Sequence, residues 1–263
     1  EYVPSMKITA TLFEAFLKSA TKCHLRSLGE NGSGNEYAEW ALAQNESYRR
    51  EALRRLQEAV PDTERVVAPP ATENLKTAKW QLAVDLVAQT PDRSADSHVR
   101  KLETDSKEAR GPGDAQPQPG SSGRESASSA SQESQSGLTS AATRLESRLH
   151  AVERVPSEGR GKAAQFVPIR FIYRNKLTKD DRLLLAFDAL VLSQVLGREI
   201  SLGKIIHGDD HATLKVKTSA LASEVRKRIG KMTALLANPA SPDLVLNRRC
   251  PECEFRDRCR KIA

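Results

Sequence analysis

Aromatic residues are scarce in this chain, and the shortage is local. Phe, Trp and Tyr make up 5% of the 263 residues, and none falls between Trp80 and Phe166. A stretch that long without a ring lacks the large side chains that a core is built from. That excludes one uninterrupted globule. Its middle, residues 111–139, is rich in Ser, Gly, Pro, Gln and Glu, and buries too little apolar surface to offset its ordering entropy. The composition predicts a disordered insertion over residues 90–143, inside a single domain covering residues 6–263.

Long apolar runs are missing as well. No stretch of eighteen apolar residues occurs, which leaves no candidate for a membrane span and no membrane partner. No apolar signal stretch opens the chain either, so a cytoplasmic, reducing compartment is expected. Cysteine is limited to four residues, and their placement is the most informative feature present. Cys250, Cys253 and Cys259 form a C-x2-C-x5-C run, whereas Cys23 stands alone at the other end of the sequence. The spacing points to a bound metal that staples an N-terminal helix to the last segment. Zinc and an iron–sulfur cluster both accept four thiolates. Structural zinc sites usually pair two C-x2-4-C knuckles, and Cys23 has no neighbouring cysteine. One lone thiolate plus a compact trio suits a cubane better, because each iron corner takes one thiolate.

Charge is also unevenly spread. From Arg144 to Ala263 there are 24 Lys+Arg against 14 Asp+Glu, more than the whole chain's net charge of +7. Arg248, Arg249 and Arg256 surround the cysteines, with Arg226, Lys227 and Arg228 upstream. A basic rim of this kind suits phosphate-backbone binding, and an ordinary solvated basic surface is the competing reading.

Periodicity predicts helices over residues 11–28 and 36–59, and helical spacing also runs through residues 73–89. After the insertion, residues 148–155 alternate like a strand, residues 156–162 read as a turn, and residues 165–172 form the next strand, expected to be antiparallel to it. A long apolar helix follows over residues 180–196, ended by Gly197. Then come a hairpin over residues 203–208 and 212–217 and a helix over residues 219–236. The expected class is mixed α/β (α+β), with a helical lobe beside a mixed sheet.

A lone N-terminal cysteine, a strand pair, a long apolar helix, a hairpin, a helix and then C-x2-C-x5-C is a layout that resembles the RecB-like iron–sulfur exonucleases. Those include the CRISPR-associated adaptation exonucleases and AddB-type nuclease domains of the PD-(D/E)XK superfamily. The resemblance extends over residues 7–261 outside the insertion. It implies a restriction-endonuclease-like core and a [4Fe-4S] cluster on Cys23, Cys250, Cys253 and Cys259. It also implies DNA as partner, as single strands or ends, with Mg²⁺ or Mn²⁺ needed only if the domain is active. The chain stops four residues after Cys259. A further C-terminal nuclease or helicase-associated domain is therefore expected.

The catalytic pattern departs from that family. Its second strand carries Pro-Val-Glu-x-Lys, and its carboxylates hold the metal that activates water. Here Val167-Pro168-Ile169 keeps the context, but Arg170 stands in place of the Glu and Ile172 in place of the Lys. The position of the first-strand Asp falls near His150. The family's Gln-x-x-x-Tyr reads Leu183-Leu184-Leu185-Ala186-Phe187. Glu153, Lys176 and Asp188 are the remaining catalytic candidates, with Glu46, Asp85, Asp209 and Asp210 as further carboxylates. For Asp188, on an apolar helix, an ion pair is the favoured reading over a metal. His207 and His211 flank Asp209-Asp210 in what reads as a polar hairpin turn. Arg170, like Arg248, Arg249 and Arg256, is a candidate phosphate ligand. The expectation is a domain that binds single-stranded DNA and cuts it poorly or not at all. A zinc-stapled structural module is the alternative.

Overall fold

The computed structural model describes residues 6–32, 35–70, 74–91, 143–156 and 163–262. The expected insertion and the turn over residues 156–162 lie outside the described residues, apart from their ends. Residues Met6–Pro91 and Arg144–Ala263 belong to one unit.

Seven strands form one mixed sheet. In chain order they are β1 (Lys7–Thr9), β2 (Arg65–Val67), β3 (Leu82–Gln89), β4 (Arg144–Val155), β5 (Gln165–Ile172), β6 (Leu202–His207) and β7 (Ala212–Lys217). The spatial order is β2-β3-β4-β5-β6-β7, with β1 paired to the start of β4. Pairings β3–β4, β4–β5 and β6–β7 are antiparallel, whereas β1–β4, β2–β3 and β5–β6 are parallel. The mixed α/β class and the antiparallel strand pair after the insertion are as expected.

Among the described residues there are six α-helices: α1 (Ala10–Lys18), α2 (Ala20–Ser27), α3 (Glu36–Glu58), α4 (Lys179–Leu196), α5 (Ala222–Ala237) and α6 (Arg256–Ile262). The single helix expected over residues 11–28 is two. Ser19 has extended backbone and its hydroxyl accepts from the N–H of Lys22, so it starts α2 where α1 has ended. Residues 73–89 also differ from their helical spacing. Leu82–Gln89 is an interior strand whose first three residues are all buried, and such a run cannot be told from a buried helix by periodicity.

One face carries α1, α4 and α5, the other α3. Helix α4 starts with a capping box between Thr178 and Asp181 and stops where Gly197 takes φ 67°, a conformation that a side chain would strain. Residues Leu183 to Leu192 of α4 are all buried, and Phe187 stacks on Phe13 of α1 with centroids 4.6 Å apart. On the opposite face Tyr48 and Ala52 of α3 pack over Leu82, Val84, Ala151, Ile169 and Phe171.

Gly203 of β6 allows α4 to lie close to the sheet. A Cβ there would sit 2.8 Å from Leu185 Cδ2, a fully buried side chain with no room to retreat. Gly203→Ala is expected to cost about 1–3 kcal/mol, read as a lower urea midpoint at unchanged slope.

Candidate functional site

The positions that the resemblance associates with catalysis lie where β4 and β5 part. Their ladder runs from Val155–Gln165 to Ala151–Ile169 and stops there. Beyond it the Phe171 N–H donates to His150 Nδ1 at 3.2 Å, so a side chain takes over from the backbone. The His150 ring lies nearly parallel to Phe171. Burial, with the Arg170, Arg49 and Arg148 cations around it, holds His150 well below its ordinary range. The imidazole is therefore neutral, with Nδ1 accepting and its proton on Nε2.

Strand β3, on the other side of β4, is irregular at this level. Ala83 and Leu86 face the α4 side of the sheet, whereas Leu82 and Val84 face α3, so the alternation changes phase at Asp85. Asp85 has φ 54° within the strand, and its carboxylate accepts from Arg49 of α3. Arg148 approaches the same carboxylate at 3.5 Å. Asp is among the residues that tolerate this backbone conformation. Glu46 lies 4.0 Å from Arg49 at the edge of the same group.

On the α4 side of the sheet, Arg170 makes a two-point ion pair with Asp188: Nη2 donates to Oδ1 at 2.8 Å, and Nε donates to Oδ2. Ser147 of β4 donates to the same carboxylate at 2.5 Å. The Arg170 side chain is 9% exposed and that of Asp188 is 1% exposed. Glu14 of α1 stands near this group. Burial would raise its carboxyl, but Lys18, Arg170 and Lys22 together hold it below the usual range. The ion pair favoured for Asp188 is present. Arg170, in contrast, is not the phosphate ligand it was expected to be. Its guanidinium is buried and its fork is committed to one carboxylate.

The catalytic candidates are not brought together. Asp188 is on the α4 face. Glu153 accepts from Lys204 of β6, and Lys176 is exposed in the loop after β5. Asp209 accepts from Asn175 Nδ2 at 2.9 Å in the hairpin turn, and His211 Nδ1 lies 3.2 Å from the Asp209 carbonyl. The turn reading of residues 207–211 holds: Gly208 and His211 both take positive φ there. Sequence reasoning missed Ser147 and Glu14. Ser147 lies one alternation from the apolar Leu145 and Leu149 on the same face, and that was the available signal.

The C-terminal segment docks on α2 and on the start of α3. Glu254 accepts from Lys22 at 2.5 Å and from Arg26 at 2.8 Å. Asn35 caps α3 through its Oδ1 while its Nδ2 donates to the Pro251 and Cys253 carbonyls at 3.0 and 2.9 Å. Arg258 pairs with Glu30, and Asn247 Nδ2 donates to the Lys18 carbonyl. These contacts join the two ends of the sequence on the helix that carries Cys23.

Cys23 is fully buried within the main core, and burial pushes its thiol up to about 12. Burial first raises both Cys253 and Cys259; the Glu254 charge and then Cys250 add to it at Cys253, and Cys253 and Cys250 add to it at Cys259. The Asn247 N–H donates to Cys250 Sγ at 3.2 Å. Sulfur donors are of the type that a thiolate-seeking metal takes. Among the described residues, no three His, Cys, Asp or Glu side chains are gathered into a metal-holding group. Around the segment Arg248 is exposed, Arg249 pairs with Asp180, and Arg256 bonds its neighbour Asp257 at 2.9 Å.

No family model matches the chain, and no curated protein matches it either. Among the described residues, no helix is long and apolar enough to cross a membrane.

Proposed function

We propose that this chain is a RecB-like, iron–sulfur nuclease-type domain that binds DNA single strands or ends and has lost catalysis. The observation that carries the reading is the Arg170–Asp188 pair. A guanidinium stands where the resemblance calls for a metal-binding carboxylate, and it is neutralised within the protein by an acid from the next helix. A divalent cation at that point would meet a buried positive charge and no free carboxylate. Neutral His150, whose Nδ1 is occupied by a backbone N–H, stands where an anionic metal ligand would be needed. Ion binding is replaced by internal satisfaction.

The cysteines have a separate role in this reading. Cys23, Cys250, Cys253 and Cys259 hold a [4Fe-4S] cluster that adds a covalent link to the contact already made by Glu254, Lys22 and Arg26. Exposed Arg248, with Arg249 and Arg256 beside the segment, supplies positive charge toward DNA phosphates.

Two measurements test the proposal. Anaerobically purified protein is expected to carry iron and acid-labile sulfide in equal amounts. It should retain a labelled single strand in a salt-sensitive way without shortening it in Mg²⁺ or Mn²⁺. Zinc in place of iron, with no retention of DNA, would establish the structural-module alternative. Metal-dependent cleavage that is lost on Glu153→Gln would overturn the loss of catalysis.

A further inference from the structure

Helix α3 packs against β5, and the cluster it forms takes in Ile206 of β6, whereas on the same face of β7 Thr213, Lys215 and Lys217 are exposed. Gly203 and Ile205 of β6 point to α4, so Lys204 and Ile206 point the other way. On β7, Leu214 and Val216 pack toward α4, which puts Thr213, Lys215 and Lys217 on the open face. The register sets Lys204 directly opposite Lys215. Like charges so placed destabilise a sheet, and only Lys204 has a carboxylate partner, Glu153. Lys215 and Lys217 are exposed and have no ion-pair partner among the described residues.

A cavity of about 200 Å³ opens at the end of this face. Tyr48 and Tyr173 wall it edge to face, with centroids 6.1 Å apart, and Gln44, Ser47 and Glu51 of α3 form its rim. His211 stacks on Tyr48 from the hairpin tip, with centroids 4.7 Å apart. Tyr48 is 8% exposed, yet its hydroxyl has no hydrogen-bond partner, and neither does His211 Nε2. Burial pushes the Tyr48 phenol up to about 12, so it stays a neutral donor. Orphaned buried polar atoms are uncommon and call for a partner. Of the nearby acids, Glu51 is held by Arg54 and Arg55 and Asp209 by Asn175, leaving Asp210 as the opposing charge.

We infer that this face is a second binding surface for a single-stranded nucleic acid, with Lys215 and Lys217 on its phosphates and one unpaired base in the Tyr48–Tyr173 cavity. The inference shares its ligand class with the proposed function but uses none of the residues beside the cysteines. A phosphate across β6 and β7 offsets the Lys204–Lys215 repulsion. A base supplies the ring face that Tyr173 lacks and the polar edge that Tyr48 and His211 lack. Lysines on an edge strand also discourage strand addition, but that role explains neither the cavity nor its unpaired polar atoms.

The test uses the 263-residue chain and a fluorescent 20-mer of thymidylate, intact or with one abasic position, followed by anisotropy across a salt series. Lys215→Gln/Lys217→Gln is expected to reduce the slope of log K against log salt by about 1.4, two contacts at about 0.7 each for a single strand. Tyr173→Ala is expected to weaken binding about tenfold and to remove the parent protein's preference for the intact strand. Unchanged thermal melting of these variants excludes misfolding. If both variants bind like the parent while Arg248→Gln/Arg256→Gln does not, this surface is wrong and the nucleic-acid reading stands. Failure of the parent to bind at all removes both.

Discussion

Arg170→Met is expected to destabilise the protein by about 3–5 kcal/mol, measured as a fall in the urea midpoint, because it leaves the Asp188 carboxylate buried and unpaired. The magnitude follows from geometry. Asp188 is 1% exposed, receives two bonds from the guanidinium, and keeps only Ser147 when Arg170 is gone. Asp188→Leu alone should cost a similar amount, since it strands the cation instead. The double variant Arg170→Met/Asp188→Leu should regain most of the loss, because two matched apolar groups incur no charge desolvation. That non-additivity is the signature of a closed pair. If the single variants are mild and simply additive, Arg170 has another partner and the internal neutralisation is wrong. No change in the salt dependence of DNA binding is expected from Arg170→Met in the fraction that remains folded, since a buried, committed guanidinium releases no counterion.

Much of the frame was legible because its signals are local. The long apolar run with Gly197 behind it gave α4 to within a residue, and the alternation of residues 148–155 gave most of β4, with residues 165–172 as its antiparallel neighbour β5. Of the features that were not legible, three have a clear physical reason. Strand β3 opens with three buried residues in a row, Leu82 to Val84, which masks the period of two that its second half keeps and lets the segment fit a helix as well. The break between α1 and α2 depends on one serine choosing to cap, a choice that tertiary packing decides. The third is the Arg170–Asp188 pair, which joins residues 18 positions apart on a strand and a helix. Sequence could mark Asp188 as a buried acid in need of a partner. It could not show that the partner was the arginine already assigned to phosphate. The cavity beside Tyr48 was invisible for the same reason: its lining comes from α3 and from Tyr173 in the loop after β5, far apart in sequence.

Glu254→Gln is expected to loosen the C-terminal segment at a cost of about 1.5–3 kcal/mol, the range for hydrogen bonds to charged groups. Lys22 and Glu254 are 12% and 15% exposed, and Arg26 adds a second cation to the same carboxylate. Burial alone would raise the Glu254 carboxyl, but its bonds to Lys22 and Arg26 bring it down to about 2. An ordinary glutamate in the unfolded chain titrates near 4.3. A group whose pKa is lowered by folding contributes fully above its unfolded value and loses that contribution as pH falls toward its folded value. The gap between parent and Glu254→Gln should therefore be constant from neutral pH to about 5, narrow below about 4, and close near 2. Hydrogen exchange should place the loss in the segment carrying Cys250, Cys253 and Cys259. Gly32→Ala offers an independent route to the same state, since a Cβ there would lie 2.5 Å from the Glu254 carbonyl oxygen and force the segment away. Iron retention in the two variants then separates contact from cluster. If the four cysteines share one centre, both variants should still hold iron but release it faster to a chelator, because the ion pair that brings the segment to α2 is weakened. Equal chelation rates in parent and variants would mean that Glu254 does not position the cysteines.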